Sequence, residues 1–235
     1  MKTKTAVILA GGKGTRLWPL TKDRPKPMVL VADKPFLYWQ LRYLQEQGVE
    51  EVLLLISHLG HVIQEYFQSQ PIRGLKIKFA EEPTPAGTGG ALKMASAQLP
   101  EVFWLLNGDS FLYIHLGDFE SACSLPSAAM AVADPALIGV PANVRTSSGL
   151  VTEYRKTASE EDGLDMVDAG VYRLKRDGIH FPDQETFDLG EIWPPLILKK
   201  QLASFPVHNR YFDIGTVERL RVFERHLKDY FDPKV

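Results

Sequence analysis

Apolar positions recur along the first half of the chain with two alternating periods. Short continuous apolar runs are typical of strands buried on both faces of a sheet, and apolar residues three and four positions apart are typical of helices. The predicted strands are residues 6–10, Glu51–Ile56, 75–79 and 102–106, and the predicted helices bury Leu37, Leu41 and Leu44, then Val62, Ile63, Tyr66 and Phe67, then Leu92, Ala95 and Leu99. This alternation predicts an α/β fold with a doubly wound, mostly parallel sheet and helices on both faces, in three αβα layers.

The pattern in the second half is less regular and predicts strands with few helices between them. The predicted strands are Ala128–Ala133, Leu150–Tyr154, 166–174 and 205–207, and a closing helix places Val217, Leu220, Phe223 and Leu227 on one face. Residues 188–191, Asp-Leu-Gly-Glu, have the pattern of a capping box, and Pro194 and Pro195 must interrupt or restart any helix that follows. The second half therefore adds further strands to the sheet.

Composition indicates the size of the domain and the cellular compartment of the protein. The chain has 235 residues, of which 45% are hydrophobic, and this is enough to fill the core of one large α/β domain. A formal net charge of −2 gives no basic surface for nucleic acid or membranes, and the apolar runs are too short to span a bilayer. The amino terminus leads into a strand rather than a signal peptide, and the one cysteine, Cys123, excludes an internal disulfide. We expect a cytoplasmic protein that binds neither nucleic acid nor membrane.

The first strand runs into a glycine-rich loop with cationic residues close behind it. The loop contributes Gly11, Gly12 and Gly14, and it is followed by Arg16 and by Lys26, which lies between two prolines. Without Cβ atoms, consecutive amide groups can point into one concavity, and this arrangement suits a polyphosphate. A glycine turn that merely reverses the chain is the alternative. The two cations favour a nucleoside triphosphate at the carboxyl edge of the sheet, where open α/β sheets bind ligands.

Two common phosphate-binding motifs do not fit this loop. A Walker loop requires a lysine directly after its last glycine, whereas Lys13 lies between the glycines. The dinucleotide fingerprint starts acceptably at Gly12 and Gly14 but requires a third glycine where the chain has Leu17. The missing glycine also argues against a nicotinamide-dependent oxidoreductase.

A carboxylate is predicted at the same edge of the sheet. The strand at 102–106 ends in residues 107–110, Asn-Gly-Asp-Ser, which in isolation are typical of a turn. Triphosphate chemistry requires Mg²⁺, which proteins usually hold through one or two carboxylates together with phosphate oxygens and water. Asp109 is therefore a candidate metal ligand.

The motifs together resemble those of the sugar-1-phosphate nucleotidyltransferases, also called sugar-nucleotide pyrophosphorylases. Their hallmark, Leu-Ala-Gly-Gly-x-Gly-Thr-Arg-Leu followed by Pro-Lys-Pro, matches residues 9–17 and 25–27 one for one. The resemblance implies a Rossmann-like nucleotide-diphospho-sugar transferase fold, with Mg²⁺ as the cofactor. It also implies a single domain over 1–235, with a nucleotide-binding half at 1–110, a sugar-phosphate-binding half at 111–235 and no C-terminal β-helix domain.

The resemblance also assigns the residues that bind the nucleotide. Residues 81–91 match the segment with which the family binds the nucleobase. From the pattern alone, Thr88 is a good N-cap, and Gly89 and Gly90 leave the helix amino terminus uncrowded for a ligand. The implied nucleotide contacts are Leu9, Ala10, Gly11, Gly12, Gly14, Thr15, Arg16, Glu81, Glu82, Gly87 and Thr88.

For the metal and the acceptor, the resemblance is less complete. It makes Asp109 and Asp213 the metal ligands, although Asp213 could simply cap a turn. The implied sugar-phosphate contacts are Asn107, Gly139, Lys156, Asp168 and Gly170. The chain has Arg155 where a glutamate is usual and Ile138 where a tyrosine is usual, and these departures leave the sugar open.

The implied reaction transfers a nucleoside monophosphate from a triphosphate to a sugar 1-phosphate, with Arg16, Lys26 and Asp109 as the catalytic residues. GTP is favoured, because Glu81 or Glu82 could accept from both guanine N1–H and the exocyclic amine. The segments look most like bacterial heptose 1-phosphate guanylyltransferases, with mannose 1-phosphate enzymes close behind. N-acetylmuramate 1-phosphate uridylyltransferases and other UTP-, dTTP- or CTP-using members remain alternatives, as does a catalytically silent homologue. The protein is expected to be a monomer or a homodimer.

Overall fold

The computed structural model describes residues 2–12, 14–123, 126–159 and 162–231. The strands are β1 Thr5–Leu9, β2 Leu30–Val31, β3 Lys34–Pro35, β4 Glu51–Ile56, β5 Lys76–Glu81, β6 Val102–Asn107, β7 Ser110–Leu112, β8 Ala128–Ala133, β9 Val144–Ser147, β10 Leu150–Tyr154, β11 Val167–Lys175, β12 Leu202–Val207 and β13 Tyr211–Asp213. The helices are α1 Phe36–Glu46, α2 Gly60–Ser69, α3 Gly87–Met94, α4 Leu116–Ala122, α5 Pro135–Ile138, α6 Trp193–Leu198 and α7 Val217–Phe231. None of the helices in these residues is long and apolar enough to cross a membrane.

Nine strands form one central sheet in the order β5-β4-β1-β6-β11-β8-β12-β10-β9. The first four are all parallel, as the alternation of strands and helices predicts. The second half is mixed, because β11 runs antiparallel to both of its neighbours, β6 and β8, while β12 is parallel to β8. Two small sheets, β2–β3 and β7–β13, lie outside the main one. The carboxyl ends of β1, β4 and β6 therefore meet at one edge.

Both faces of the inner parallel strands β1, β4 and β6 are buried, and this explains their continuous apolar sequences. Along β4, Leu53 and Leu55 belong to one apolar cluster, and Leu54 and Ile56 belong to the cluster on the opposite face. Successive strand residues point to opposite faces of the sheet. A strand covered on both faces therefore does not show the usual alternation of polar and apolar residues.

A third apolar cluster packs the end of the chain against the segment that follows the glycine loop. The rings of Phe36 and Phe111 each lie 5.0 Å from the ring of Phe223 on α7. Leu17 is fully buried in this cluster, so the position where a dinucleotide fold requires glycine is filled by a core side chain. This packing fixes the loop that carries Arg16 at the edge of the sheet.

The segment after residue 188 follows its predicted pattern. Asp188 and Glu191 form a capping box over a 3-10 turn, Leu189–Ile192, and α6 follows directly. The two prolines occupy the first turn of α6, where backbone N–H groups have no helical partner, so they restart the helix without breaking it.

Candidate active site

Two of the three loop glycines are required by close packing, and the third faces open space. A Cβ on Gly11 would lie 2.9 Å from the Cβ of Ser57, and one on Gly14 would lie 2.7 Å from the Cβ of Lys26. Gly14 also has a φ of +64°, a conformation that side chains other than glycine rarely adopt. A Cβ on Gly12 would meet no protein atom within 4 Å. The loop is therefore compatible with both interpretations of its sequence, the turn and the ligand-binding loop. Gly11 and Gly14 shape the turn, and Gly12 leaves room for a ligand.

The loop forms one wall of a cleft of about 500 Å³ at the carboxyl edge of the sheet. The cleft is lined by Leu9, Gly11, Gly12, Lys26, Pro27, Leu55, Ser57, Glu82, Pro85, Gly87, Thr88, Ala91, Asn107, Gly108 and Asp109. The sequence motifs do not indicate Leu55 and Ser57, which come from the end of β4. The order of the strands in the sheet reveals them, because β4 pairs directly with β1 and ends beside the glycine loop.

The other predicted nucleotide contacts lie beside the cleft or away from it. Ala10 is buried, and Gly14, Thr15 and Arg16 lie on the adjoining loop. Glu81 is exposed at the end of β5 and does not line the cleft. Of the two glutamates that were candidates for the base contact, only Glu82 therefore faces this space.

Lys26 and Asp109 form an ion pair inside the cleft. Lys26 Nζ lies 2.7 Å from Asp109 Oδ2, and only 9% of the lysine side chain is exposed, against 44% of the aspartate side chain. A buried ammonium group requires such a partner. Lys26 begins a 3-10 turn that follows Pro25 in an extended conformation, so the two flanking prolines direct it inward.

Gln40 fixes the turn that carries Asp109. Its Nε2 donates to the carbonyl oxygens of Asn107 and Ser110, at 2.8 and 2.9 Å, and the residue is only 3% exposed. This role of Gln40 does not follow from any of the sequence motifs. The available signal was a polar residue inside the apolar stripe of α1, next to Leu37 and Leu41.

Glu82 is buried at the side of the cleft that faces Gly11. Its Oε2 accepts a hydrogen bond from the backbone N–H of Ala86, at 3.0 Å, and this bond holds the loop between β5 and α3. Burial raises the pKa of Glu82 above its usual range, and the hydrogen bond from Ala86 opposes the shift. Oε1 of Glu82 remains available as an acceptor for a ligand.

The start of α3 differs from the prediction. The helix begins at Gly87, so Thr88 is not its N-cap; Thr88 Oγ1 instead accepts from the backbone N–H of Leu189, at 2.9 Å. Gly89 and Gly90 do not leave an open helix end for a ligand, because their N–H groups donate to the carbonyl of Phe187, at 3.0 and 3.2 Å. The pattern of the helix end could not show a partner about one hundred residues further along the chain.

A second cavity, of about 270 Å³, adjoins the cleft and shares Thr88 and Asn107 with it. The lining of this acceptor-side cavity is completed by Asn143, Tyr154, Lys156, Asp168, Tyr172, Asp188, Leu189, Gly190 and Trp193. Of the predicted sugar-phosphate contacts, it brings together Asn107, Lys156 and Asp168.

Two other predicted acceptor contacts are placed differently. Gly170 packs against Asn107, since a Cβ there would lie 2.6 Å from Asn107 Nδ2. Gly139 ends α5 with a φ of +76° and lines neither the cleft nor the acceptor-side cavity. The structure therefore does not bring Gly139 to the site. Tyr154 and Trp193 are at the site although the sequence analysis gave them no role, because only the folded chain joins β10 to α6.

Asp168 has partners within the protein. Its Oδ1 accepts from the N–H of Gly170, at 2.9 Å, and its Oδ2 accepts from the hydroxyl of Tyr172, at 2.8 Å. Burial raises the pKa of Asp168 to about 6, and these two hydrogen bonds only partly offset the shift. The carboxyl group keeps further lone pairs that can accept from a ligand hydroxyl.

The raised pKa of Asp168 predicts a pH dependence of stability. The folded state binds this proton more tightly than the unfolded state, so the contribution of Asp168 to the free energy of unfolding falls as pH rises from about 4 to about 6. Asp168→Asn does not titrate and should lack this fall. Urea unfolding should therefore show the variant gaining about 2 to 3 kcal/mol on the wild type across that range. A difference that stays constant with pH would contradict the shift.

The second predicted metal ligand, Asp213, lies next to the Asp109 turn. Strand β13 pairs with β7 so that Asp213 faces Ser110, and the N–H of Ile214 donates to the carbonyl of Asp109, at 3.0 Å. The Asp213 carboxylate accepts from the N–H of Gly215, at 2.7 Å, and forms an ion pair with Arg219. The turn-capping alternative is therefore present in the structure. Within the described ranges, no three His, Cys, Asp or Glu side chains come together as a metal cluster.

Comparisons with known proteins identify the family of this chain. The family model described as nucleotidyl transferase matches residues 5–229. The D-glycero-alpha-D-manno-heptose 1-phosphate guanylyltransferase of Campylobacter jejuni is 35% identical over 91% of this chain and 95% of its own length. The mannose-1-phosphate guanyltransferase of Candida albicans is 30% identical over 89% of this chain, which spans 60% of that protein.

The fold of this chain is also similar to that of solved structures. The crystal structure of HddC from Yersinia pseudotuberculosis complexed with GMP-PN has a TM-score of 0.80 and 27% sequence identity, over 96% of this chain and all of that one. The Rossmann-like fold of the nucleotide-diphospho-sugar transferases, expected from the sequence motifs, is confirmed. The chain therefore belongs to the nucleotidyl transferase family and is an enzyme of the sugar-1-phosphate nucleotidyltransferase group.

Proposed function

We propose that the protein transfers GMP from GTP to a heptose 1-phosphate, giving GDP-heptose and pyrophosphate. The heptose is supported by the identity to the Campylobacter jejuni guanylyltransferase over nearly the full length of both chains. Guanine is supported by one observation in the cleft, the buried carboxylate of Glu82. Mannose 1-phosphate is the second acceptor to be considered, because several mannose-1-phosphate guanyltransferases are also similar to this chain.

In this reaction, a phosphate oxygen of the sugar 1-phosphate forms a bond to the α-phosphorus of GTP, and the bond to the bridging oxygen of pyrophosphate breaks. The acceptor is already an anionic nucleophile, so the protein contributes alignment and charge stabilisation. Lys26 would contact the phosphates beside the reacting centre, and Lys156 the incoming sugar phosphate. Arg16 would bind the leaving β,γ-phosphates.

The residues fit Mg²⁺ better than a metal with several protein ligands. Asp109 offers a partly exposed carboxylate to the cleft, and Asp213 lies on the paired strand. Mg²⁺ commonly takes one or two carboxylates and completes its shell with phosphate and water. When bound there, it would neutralise phosphate charge and polarise the α-phosphoryl group. The ion pair of Asp213 with Arg219 must then open or share the carboxylate.

Glu82 is proposed to accept from the two donors of the guanine Watson–Crick edge, with Oε1 and with the lone pair of Oε2 that the N–H of Ala86 does not use. Glu82→Gln replaces one acceptor with a donor that faces the guanine amine, so discrimination of about 1 to 3 kcal/mol should be lost. We expect kcat/KM with GTP to fall about 10- to 100-fold while that with UTP or dTTP stays level or rises. Glu81→Gln is the matched control, because Glu81 is exposed outside the cleft.

The alternative account of base specificity uses only backbone groups at Gly87 and Thr88. It predicts that Glu82→Gln keeps its full preference for GTP. A wild-type preference for UTP would remove the guanylyl proposal itself and favour the uridylyl alternative.

The acceptor-side cavity disfavours one of those alternatives. It contains the buried carboxyl group of Asp168, besides Asp188 in an ion pair with Lys156, and an N-acetylmuramate 1-phosphate would bring a further carboxylate close to Asp168. Like charges in a partly buried cavity repel one another. A neutral polyhydroxylated sugar fits this lining better, since its hydroxyls can donate to the carboxyl oxygens.

A substrate panel tests the proposal directly. Pyrophosphate release is measured for GTP, UTP, CTP and dTTP, each with heptose, mannose, glucose and N-acetylmuramate 1-phosphates. The highest kcat/KM is expected for GTP with heptose 1-phosphate. A higher value for any other pair would replace the proposed substrates, and no turnover with any pair would favour the catalytically silent homologue.

A further inference from the structure

An irregular segment crosses from the second half of the chain to helix α3 and forms part of the acceptor-side cavity. This segment, residues 179–188, has no regular secondary structure and is called the strap below. It ends at Asp188, which with Leu189 and Gly190 supplies one wall of the cavity. The position of that wall therefore depends on what holds the strap, together with the hydrogen bond from Leu189 N–H to Thr88 and the ion pair of Asp188 with Lys156.

The carboxyl end of the strap is held by the first turn of α3. Phe187 accepts from the N–H groups of Gly89 and Gly90, and its own N–H donates to the carbonyl of Ala86, at 3.0 Å. A Cβ on Gly89 would lie 2.3 Å from the Phe187 ring, so the glycines of this motif permit the close approach. The same turn contributes Gly87 to the nucleotide cleft.

The middle of the strap is held by a side chain from the last turn of α3. Lys93 Nζ lies 2.6, 3.0 and 3.1 Å from the carbonyl oxygens of three consecutive residues, Pro182, Asp183 and Gln184. An ammonium group has three hydrogens to donate, and this geometry uses all of them on one stretch of backbone. Charged donors form stronger hydrogen bonds than neutral ones.

We propose that Lys93 is a positioning residue for the acceptor site, through which α3 sets the place of the strap and hence of the Asp188–Gly190 wall. Lys93 lines neither the cleft nor the acceptor-side cavity, so it acts through the strap alone. The inference rests on the proposed role of the acceptor-side cavity. It predicts that loss of Lys93 affects the acceptor far more than the nucleotide, because Gly87 and Thr88, the proposed nucleotide contacts of α3, lie in its first turn and Lys93 lies in its last.

Lys93→Met keeps the length of the side chain and removes its three donors. With GTP and heptose 1-phosphate, we expect KM for the sugar phosphate to rise about 10-fold, as misplacement of a binding wall would cause, and KM for GTP to stay within about twofold. Lys93→Arg should restore most of the acceptor affinity. Lys76→Met is the matched control, because Lys76 lies in an exposed ion pair on the edge strand β5.

A second measurement does not depend on the substrate. Amide hydrogen exchange in the full chain should become faster at Phe187 and Leu189 in Lys93→Met but not in Lys76→Met. Lys93→Gln keeps a smaller donor and provides an intermediate case if the methionine variant fails to fold. Equal changes in both KM values, or unchanged exchange together with unchanged KM, would overturn the inference.

Lys156→Met separates this inference from the assignment of the cavity. If Lys156→Met leaves KM for the sugar phosphate unchanged, the cavity is not the acceptor site and the proposed role of Lys93 fails with it. If Lys156→Met raises that KM and Lys93→Met does not, only the role of Lys93 is wrong.

Discussion

Asp109→Asn is expected to lower kcat/KM about 100- to 1,000-fold while the protein stays folded. The asparagine keeps the shape of the side chain and one oxygen that can accept from Lys26, but it removes the negative charge from the cleft. Losing one carboxylate of a metal site costs on the order of 3 to 4 kcal/mol of transition-state stabilisation. Pyrophosphate release in saturating Mg²⁺, together with the melting temperature, provides the measurement.

Asp177→Asn is the control for this change. Asp177 lies just beyond the end of β11, which pairs with the beginning of β6, so it is at the opposite edge of the sheet from the site. Asp213→Asn should lose turnover to a similar extent, because it keeps the turn-capping oxygen and removes the charge. Wild-type rates in Asp109→Asn would end the assignment of Asp109, and wild-type rates in Asp213→Asn alone would leave Asp213 as a turn cap.

Arg16→Lys is expected to reduce kcat/KM by about one to three orders of magnitude with an unchanged melting temperature. Lysine keeps the positive charge but loses the planar fork that binds two phosphate oxygens at once. Arg16 is exposed beside the cleft and has no ion-pair partner among the described residues, so folding does not depend on it. The assays are pyrophosphate release and thermal unfolding of the same samples.

Arg24→Lys is a suitable control for Arg16→Lys. Arg24 is on the same segment, and its ion pair is with the exposed carboxylate of Asp23. It should change neither turnover nor stability measurably, since surface pairs contribute little. Full activity with a lowered melting temperature in Arg16→Lys would instead make Arg16 a structural residue.

The sequence predicted the parts of the site that lie where strands end. Gly12 and Asp109 follow β1 and β6 closely and meet in one cleft, because the carboxyl ends of parallel strands lie at a common edge; Lys26 reaches the same cleft from a later 3-10 turn. It could not choose between Glu81 and Glu82. Successive residues at the end of a strand point in opposite directions, so a shift of one position decides which carboxylate faces the cleft.

Contacts between distant parts of the chain were not accessible from local patterns. The glycines of α3 predict a helix end that is open to a ligand. Only the position of Phe187 shows that they accommodate the strap instead. The antiparallel placement of β11 was likewise hidden, because its apolar run is compatible with either strand direction. Gln40 had a detectable signal, a polar residue among core positions, but its partners depend on the turn after β6.

The position of β11 next to β6 leaves the edge of β6 unpaired while the chain is being synthesised. Strand β6 ends at Asn107, whereas the strand that covers its outer edge begins only at Val167. During translation, the parallel half of the sheet therefore emerges with an open edge that includes Phe103 and Leu105, both fully buried in the finished protein. Exposed strand edges attract other chains, and pairing between distant strands is slow. A nascent chain halted before Val167 should accordingly be the form most dependent on chaperones.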